Sequence, residues 1–191
     1  MNDIDVLEGV LAKDERLIGS VSADRLGDRT MCPDYDVRDM VDHLVGWSQV
    51  FAATANGRTF DGEPGAYDGT DPAADFGAAA RDMVAGWREG GVDRQVTMMG
   101  GEQPAQMVLN MTLMEFVAHG CDLALGSGQR VPFSDSELTV ALERGRETLP
   151  EQYRGAGMAF GHVVEVPGDA PALDRFLGFM GRRRPSERAG P

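Results

Sequence analysis

The apolar positions of this chain recur at intervals of three and four residues over most of its length, a period that builds helices rather than strands. Residues of about 3–24 repeat Val6, Val10, Leu11, Leu17, Ile18 and Val21 and predict a first amphipathic helix. A second is expected from Val37 to about Ala55, opened by Asp36 with Asp39 three residues on and striped by Met40, His43, Leu44, Trp47 and Phe51. A third runs from about Ala73 to Glu89, with Phe76, Ala80, Met83, Val84 and Trp87 inward, and stops at Gly90 and Gly91. The fourth, Gln106–Gly126, has few helix breakers, several good helix formers and apolar residues at helical intervals. Ser134 with Glu137 forms a capping box for a fifth helix ending near Pro150, and Ala172–Gly181 suits a short last one.

Between these lie the Gly- and Asp-rich stretch 56–71, expected as a mobile surface loop, and Val92–Gln103, expected as an extended excursion or irregular hairpin. Residues 154–171 read as irregular. Four main helices, two flanking ones and little strand signal predict an all-α, antiparallel four-helix bundle with extra short helices and long loops. Residues 1–181 are expected to form one domain and residues 182–191 a disordered tail.

Charge removes some functions. Thirty-one acids against eighteen bases give a formal net charge of -13, which disfavours a nucleic-acid partner, since phosphate binding depends on clustered Lys and Arg. The basic cluster Arg182–Arg184 is expected to be a solvated helix end. No run approaches a membrane span, the acidic N-terminus lacks a signal-peptide core, and two cysteines make no disulfide framework. A cytoplasmic protein without a membrane partner is expected; a homodimer is compatible with such a bundle and nothing in the sequence demands it.

The chemistry concentrates on the fourth helix. Its face Val108, Met111, Thr112, Glu115, His119, Asp122 begins apolar and ends in three functional side chains, with Glu115 and His119 stacked one turn apart. A carboxylate on an inward face costs several kcal/mol unless a partner is present, and a divalent metal is the simplest partner. His43, in the middle of the second helix's apolar stripe, could join them. Two imidazoles and one carboxylate are the ligand set of an open zinc site, and suit Fe(II), Mn(II) or Ni(II) as well. The competing readings are a hydrogen-bonded surface pair for Glu115 and His119 and a satisfied core histidine for His43. Asp122 is a candidate acceptor behind a ligating imidazole or a cofactor-binding polar anchor, against simple solvation at a helix end.

The blocks MCPDYDVRDMVDHLVG, LMEFVAHGCDLALGSGQ and FGHVVEVPGDAPALDRFLGFMGR resemble the actinobacterial branch of the DinB-like metal-binding superfamily, which is similar to the N-terminal domain of mycothiol-dependent maleylpyruvate isomerase. The resemblance implies that His43, Glu115 and His119 bind a metal, usually zinc. It further implies that a low-molecular-weight thiol, mycothiol, reacts there with a small-molecule electrophile, by S-transfer or by isomerisation through addition and release. Cys121 stands where relatives usually carry Trp, and Asp34-Tyr35 replace a more usual Gly-Trp. The sequence shows no counterpart of the isomerase's second domain, which puts maleylpyruvate isomerisation itself in question. A non-catalytic metal- or ligand-binding bundle and a metal-dependent hydrolase are the alternatives.

Other conspicuous residues have plainer expectations. His162 is expected at the surface or a pocket rim, and Cys32 and Cys121 as buried thiols. Met98, Met99, Met107, Met111 and Met114 are expected to be core packing, and Trp47 and Trp87 core anchors.

Overall fold

In a computed structural model, which describes residues 2–155 and 160–183, the predicted helices form. They are α1 (Asp3–Gly19), α2 (Val37–Ala55), α3 (Pro72–Gly90), α4 (Ala105–Gly126), α5 (Asp135–Thr148) and α6 (Ala172–Phe179). The all-α bundle is thus the architecture. The expected disordered tail lies, from residue 184 on, outside the described residues.

Local chemistry fixes most helix ends. The Asp36 side chain accepts the Asp39 N–H at 2.9 Å and Asp39 returns the bond to Asp36 N–H at 3.1 Å, so α2 begins where the acidic pair placed it. Ser134 and Glu137 do the same for α5. Helix α1 is shorter than its stripe suggested: it ends at Gly19, the Ser20 N–H caps it, and a 3-10 turn at Ala23–Arg25 follows. Gly19 and Ser20 are poor helix residues, and together they outweigh the apolar pull of Val21.

Helices α1, α3, α2 and α4 pack in that order as a ring, α5 lies against α4, and α6 against α5. Helix α4 therefore has neighbours on nearly every side, and its residues from Phe116 to Ala124 are all buried. A two-stranded antiparallel hairpin, β1 (Gln95–Met98) and β2 (Gly101–Pro104), precedes it, pairing Val96 with Gln103. The loop 56–71 is laid on α2: a Cβ at Gly46 would come within 2.5 Å of the Gly65 carbonyl carbon, so only glycine permits this approach. The irregular stretch after α5 is pinned by Arg154, which donates to Phe179 O at 2.7 Å and Gly161 O at 3.2 Å.

One buried group on α1 works against the fold. Asp14 is fully buried, and among the described residues neither of its oxygens has a hydrogen-bond partner. Burial pushes its carboxyl well above the usual range, with the nearby His119 opposing. A carboxyl whose folded pKa is raised favours the native state at low pH and loses that contribution as pH climbs past about 4. Asp14→Asn is therefore expected to stabilise the protein at pH 7 by roughly 1–3 kcal/mol. That gain should shrink towards zero near pH 4, as read by urea unfolding at the two pH values.

Candidate metal centre

His43 comes from the middle of α2, and Glu115 and His119 from successive turns of α4, where the two helices face each other. His43 Nε2 lies 3.0 Å and His119 Nε2 3.2 Å from Glu115 Oε1. The two imidazoles meet edge to face with centroids 4.7 Å apart. One ligand atom from each of the three residues can be chosen with all separations within 4.8 Å. Ligand atoms around a tetrahedral zinc with bonds of about 2.0–2.1 Å lie roughly 3.3 Å from one another. The two imidazole–carboxylate distances already stand near that spacing. The pair of Glu115 and His119 is not a surface one, since His119 is only 3% exposed, and His43, bonded to Glu115, also lines a cavity.

The electrostatics call for a cation at the same point. Burial would raise the Glu115 pKa, but the His119 and His43 imidazoles outweigh it and hold the carboxyl well below its usual range. Burial would likewise lower His119, yet Glu115 and Asp122 lift it to about 9. Positive charge is therefore strongly favoured between these side chains. A proton on His119 supplies it in the metal-free protein, and two nitrogens and a carboxylate suit a divalent ion in its place. The residues fit a metal.

Asp122 sits behind His119 and contacts the site through that imidazole. It is 0% exposed, and its Oδ2 lies 3.1 Å from His119 Nδ1. A carboxylate can only accept, so Nδ1 donates to Asp122 and, in the metal-free protein, the protonated Nε2 faces Glu115; the Nε2 proton is the one a metal ion would displace. The solvated helix-end reading of Asp122 is excluded by this burial. Burial pushes its pKa up, but Arg182 and His119 bring it below the usual carboxylate range.

Arg182 was not foreseen here. The solvated helix end expected of it does not form: Arg182 is 7% exposed and grips Asp122 through Nε and Nη2, both at 2.7 Å. Its Nη1 donates to Met180 O at 2.9 Å. Three groups are thus in series from the chain's C-terminal segment to the metal trio: Arg182, Asp122, His119. The signal in the sequence was the inward Asp122, which required a partner as much as Glu115 did.

The trio opens on a cavity of about 670 Å³. Tyr35, Trp47 and Phe51 form its aromatic wall, Tyr35 with its ring 4.9 Å from that of His43. Pro64 and Gly65 of the loop 56–71 line it as well. Trp47, expected as a core anchor, is only partly buried and belongs to this wall, whereas Trp87 is fully buried as expected. Cys32 also lines the cavity, its thiol pKa raised by burial. Cys121 is buried in the core, its thiol pushed further up by burial and the neighbouring Asp122. His162 is exposed and lies 2.8 Å from Glu151, and it is not part of the His43–Glu115–His119 group.

Residues 11–124 match the mycothiol maleylpyruvate isomerase N-terminal domain family. The chain belongs to that family. The matched stretch contains His43, Glu115, His119 and Asp122, whereas Arg182 lies beyond it. Two uncharacterized proteins of Mycobacterium tuberculosis, from strains CDC 1551 and H37Rv, are each 30% identical over 167 residues, covering 87% of this chain and 90% of each relative. No solved structure matches the chain. Among the described residues no helix is long and apolar enough to cross a membrane.

Proposed function

We propose that this family member binds a divalent metal, zinc, through His43, Glu115 and His119, and uses it to add or transfer a low-molecular-weight thiol, mycothiol, to a small electrophile. The observation that carries the reading is the trio's placement on the wall of a cavity of about 670 Å³. A structural or merely binding bundle would tolerate the same three ligands sealed in its core. The family's association with mycothiol supports the choice of thiol.

A divalent ion with an open position supplies Lewis acidity, which holds a thiol deprotonated at neutral pH. The chain's residues prepare that position. Asp122 holds one His119 proton on Nδ1, so Nε2 is the nitrogen left to ligate once its own proton is displaced. Arg182 keeps Asp122 ionised without a proton of its own to give up. Tyr35, Trp47 and Phe51 exclude water from one side of the cavity and strengthen the electrostatics inside it.

The test is zinc-loaded protein with mycothiol and monobromobimane, whose bromide the thiolate sulfur displaces. Conjugation is expected to be accelerated only when both zinc and mycothiol are present, and to be lost in Glu115→Ala. Equal rates with and without the zinc-loaded protein would refute the transferase reading. Ester hydrolysis without added thiol would replace it with the hydrolase.

A further inference from the structure

A second cavity, of about 770 Å³, reaches Glu115 of the trio but neither histidine. It shares Phe51, Met111 and Glu115 with the first cavity, so both adjoin the same carboxylate. Its walls are methionine-rich: Met98 and Met99 come from the hairpin, and Met107, Met111 and Met114 from α4. The methionines expected as core packing divide accordingly. Met98 and Met114 are buried, while Met99 is 69% exposed and Met107 and Met111 are half-buried on the cavity wall. Methionine's unbranched, polarizable side chain adapts to irregular apolar shapes, which suits a binding wall that must accept a ligand and close without it.

Two further observations select the ligand. Among the described residues, the two most exposed large apolar side chains, Met99 and Tyr153 (56%), both flank this cavity. Exposed apolar surface concentrated at one opening marks a binding site more than scattered side chains do. Secondly, the described lining contains no Lys, Arg or His, and its charged groups are Glu115 and Glu147. The first cavity holds Arg182 and both histidines. Both carboxylates already have partners, Glu115 in the two imidazoles and Glu147 in Arg144, so the described lining offers an anionic ligand no cation of its own, whereas a neutral ligand needs none. Its volume is that of a small-molecule site.

We infer that this cavity binds the uncharged, apolar body of the electrophile, presenting it beside Glu115 while the thiol enters from the polar cavity. The inference rests on the thiol-transfer reading for the identity of the ligand as a substrate, but the site itself can be tested without turnover. A dicarboxylate such as maleylpyruvate is thereby disfavoured as the substrate of this chain.

The probe is trifluoromethylbenzene, followed by fluorine NMR against the full, metal-free chain. One-to-one binding with a dissociation constant below about 1 mM is expected. 4-(Trifluoromethyl)benzoate should bind at least tenfold more weakly. Met107→Trp, which fills the cavity from α4, should weaken trifluoromethylbenzene at least tenfold. Met99→Asp, at an exposed position outside the core, should weaken it several-fold with unchanged melting temperature. Mn(II), its binding to the trio read separately by electron paramagnetic resonance, should broaden the bound fluorine line. Equal binding of the benzoate, or indifference to both substitutions, overturns the proposal, as does a bound Mn(II) without broadening. So does a change from dimer to monomer in Met99→Asp with ligand binding intact, which would make the patch an interface between copies. Failure of Mn(II) to bind at the trio would instead remove the metal reading, leaving the cavity to stand on the two substitutions.

Discussion

Alanine at His119 or at His43 is expected to lower the affinity of the chain for zinc by roughly 100- to 1,000-fold. The magnitude follows from a zinc-binding free energy of about 10–16 kcal/mol shared among four ligands in a full site, or roughly 2.5–4 kcal/mol each. His119 should sit at the upper end. It is the more buried of the two imidazoles, and its Nδ1 is already committed to Asp122, so its ligating nitrogen is set before metal arrives. His162→Ala is the control, since that side chain is exposed and bonded to Glu151; it should leave the affinity unchanged. Competition titration against a chromogenic chelator, with protein prepared without a histidine tag, measures all three. Full zinc occupancy in both His119→Ala and His43→Ala would end the metal proposal.

Arg182→Ala is the second large effect, and it concerns stability first. The substitution leaves Asp122 as a fully buried carboxylate with only His119 beside it. Breaking a buried ion pair from one side costs about 3–5 kcal/mol, because the remaining charge is neither solvated nor paired. For a domain of this length that is a fall of roughly 10 °C or more in melting temperature. Arg182→Lys should recover part of it, since the charge returns but the two-pronged contact of Nε and Nη2 does not. The double replacement Arg182→Met with Asp122→Leu separates the two roles of the pair. It should restore most of the stability, as apolar substitutes for buried ion pairs often do. It should nonetheless weaken zinc binding about 10- to 100-fold, because His119 loses the acceptor that orients it. Thermal denaturation and zinc titration on the three variants decide between a structural clasp and a positioning role.

The local grammar of the chain was legible where side chains act on their own neighbours. Asp36 and Asp39 started α2, Ser134 and Glu137 started α5, and Gly90-Gly91 ended α3, because each signal satisfies backbone groups within one turn. The trio was legible for a related reason: the one-turn spacing of Glu115 and His119 and the inward position of His43 depend only on helical periodicity and on α2 facing α4. Arg182 was not, because its partner lies sixty residues earlier and no period links them. Read locally, an arginine run after a helix is a favourable terminal charge, and only tertiary folding turns the first of the three inward. Trp47 and Met111 were misplaced for another reason. Periodicity identifies the face that leaves water, but a face can turn toward a cavity as well as toward packed core, and the two look alike in sequence.

The central claim is that one cation is held by side chains from two distant segments. Anomalous diffraction at the zinc edge, from crystals of the full chain grown with zinc, tests it most directly. The account predicts one strong peak within about 2.0–2.2 Å of His43 Nε2, His119 Nε2 and a Glu115 oxygen, with Asp122 still on His119 Nδ1. Zinc-saturated crystals without a peak there, and with the Glu115 carboxylate still bridging the two imidazoles, would contradict it.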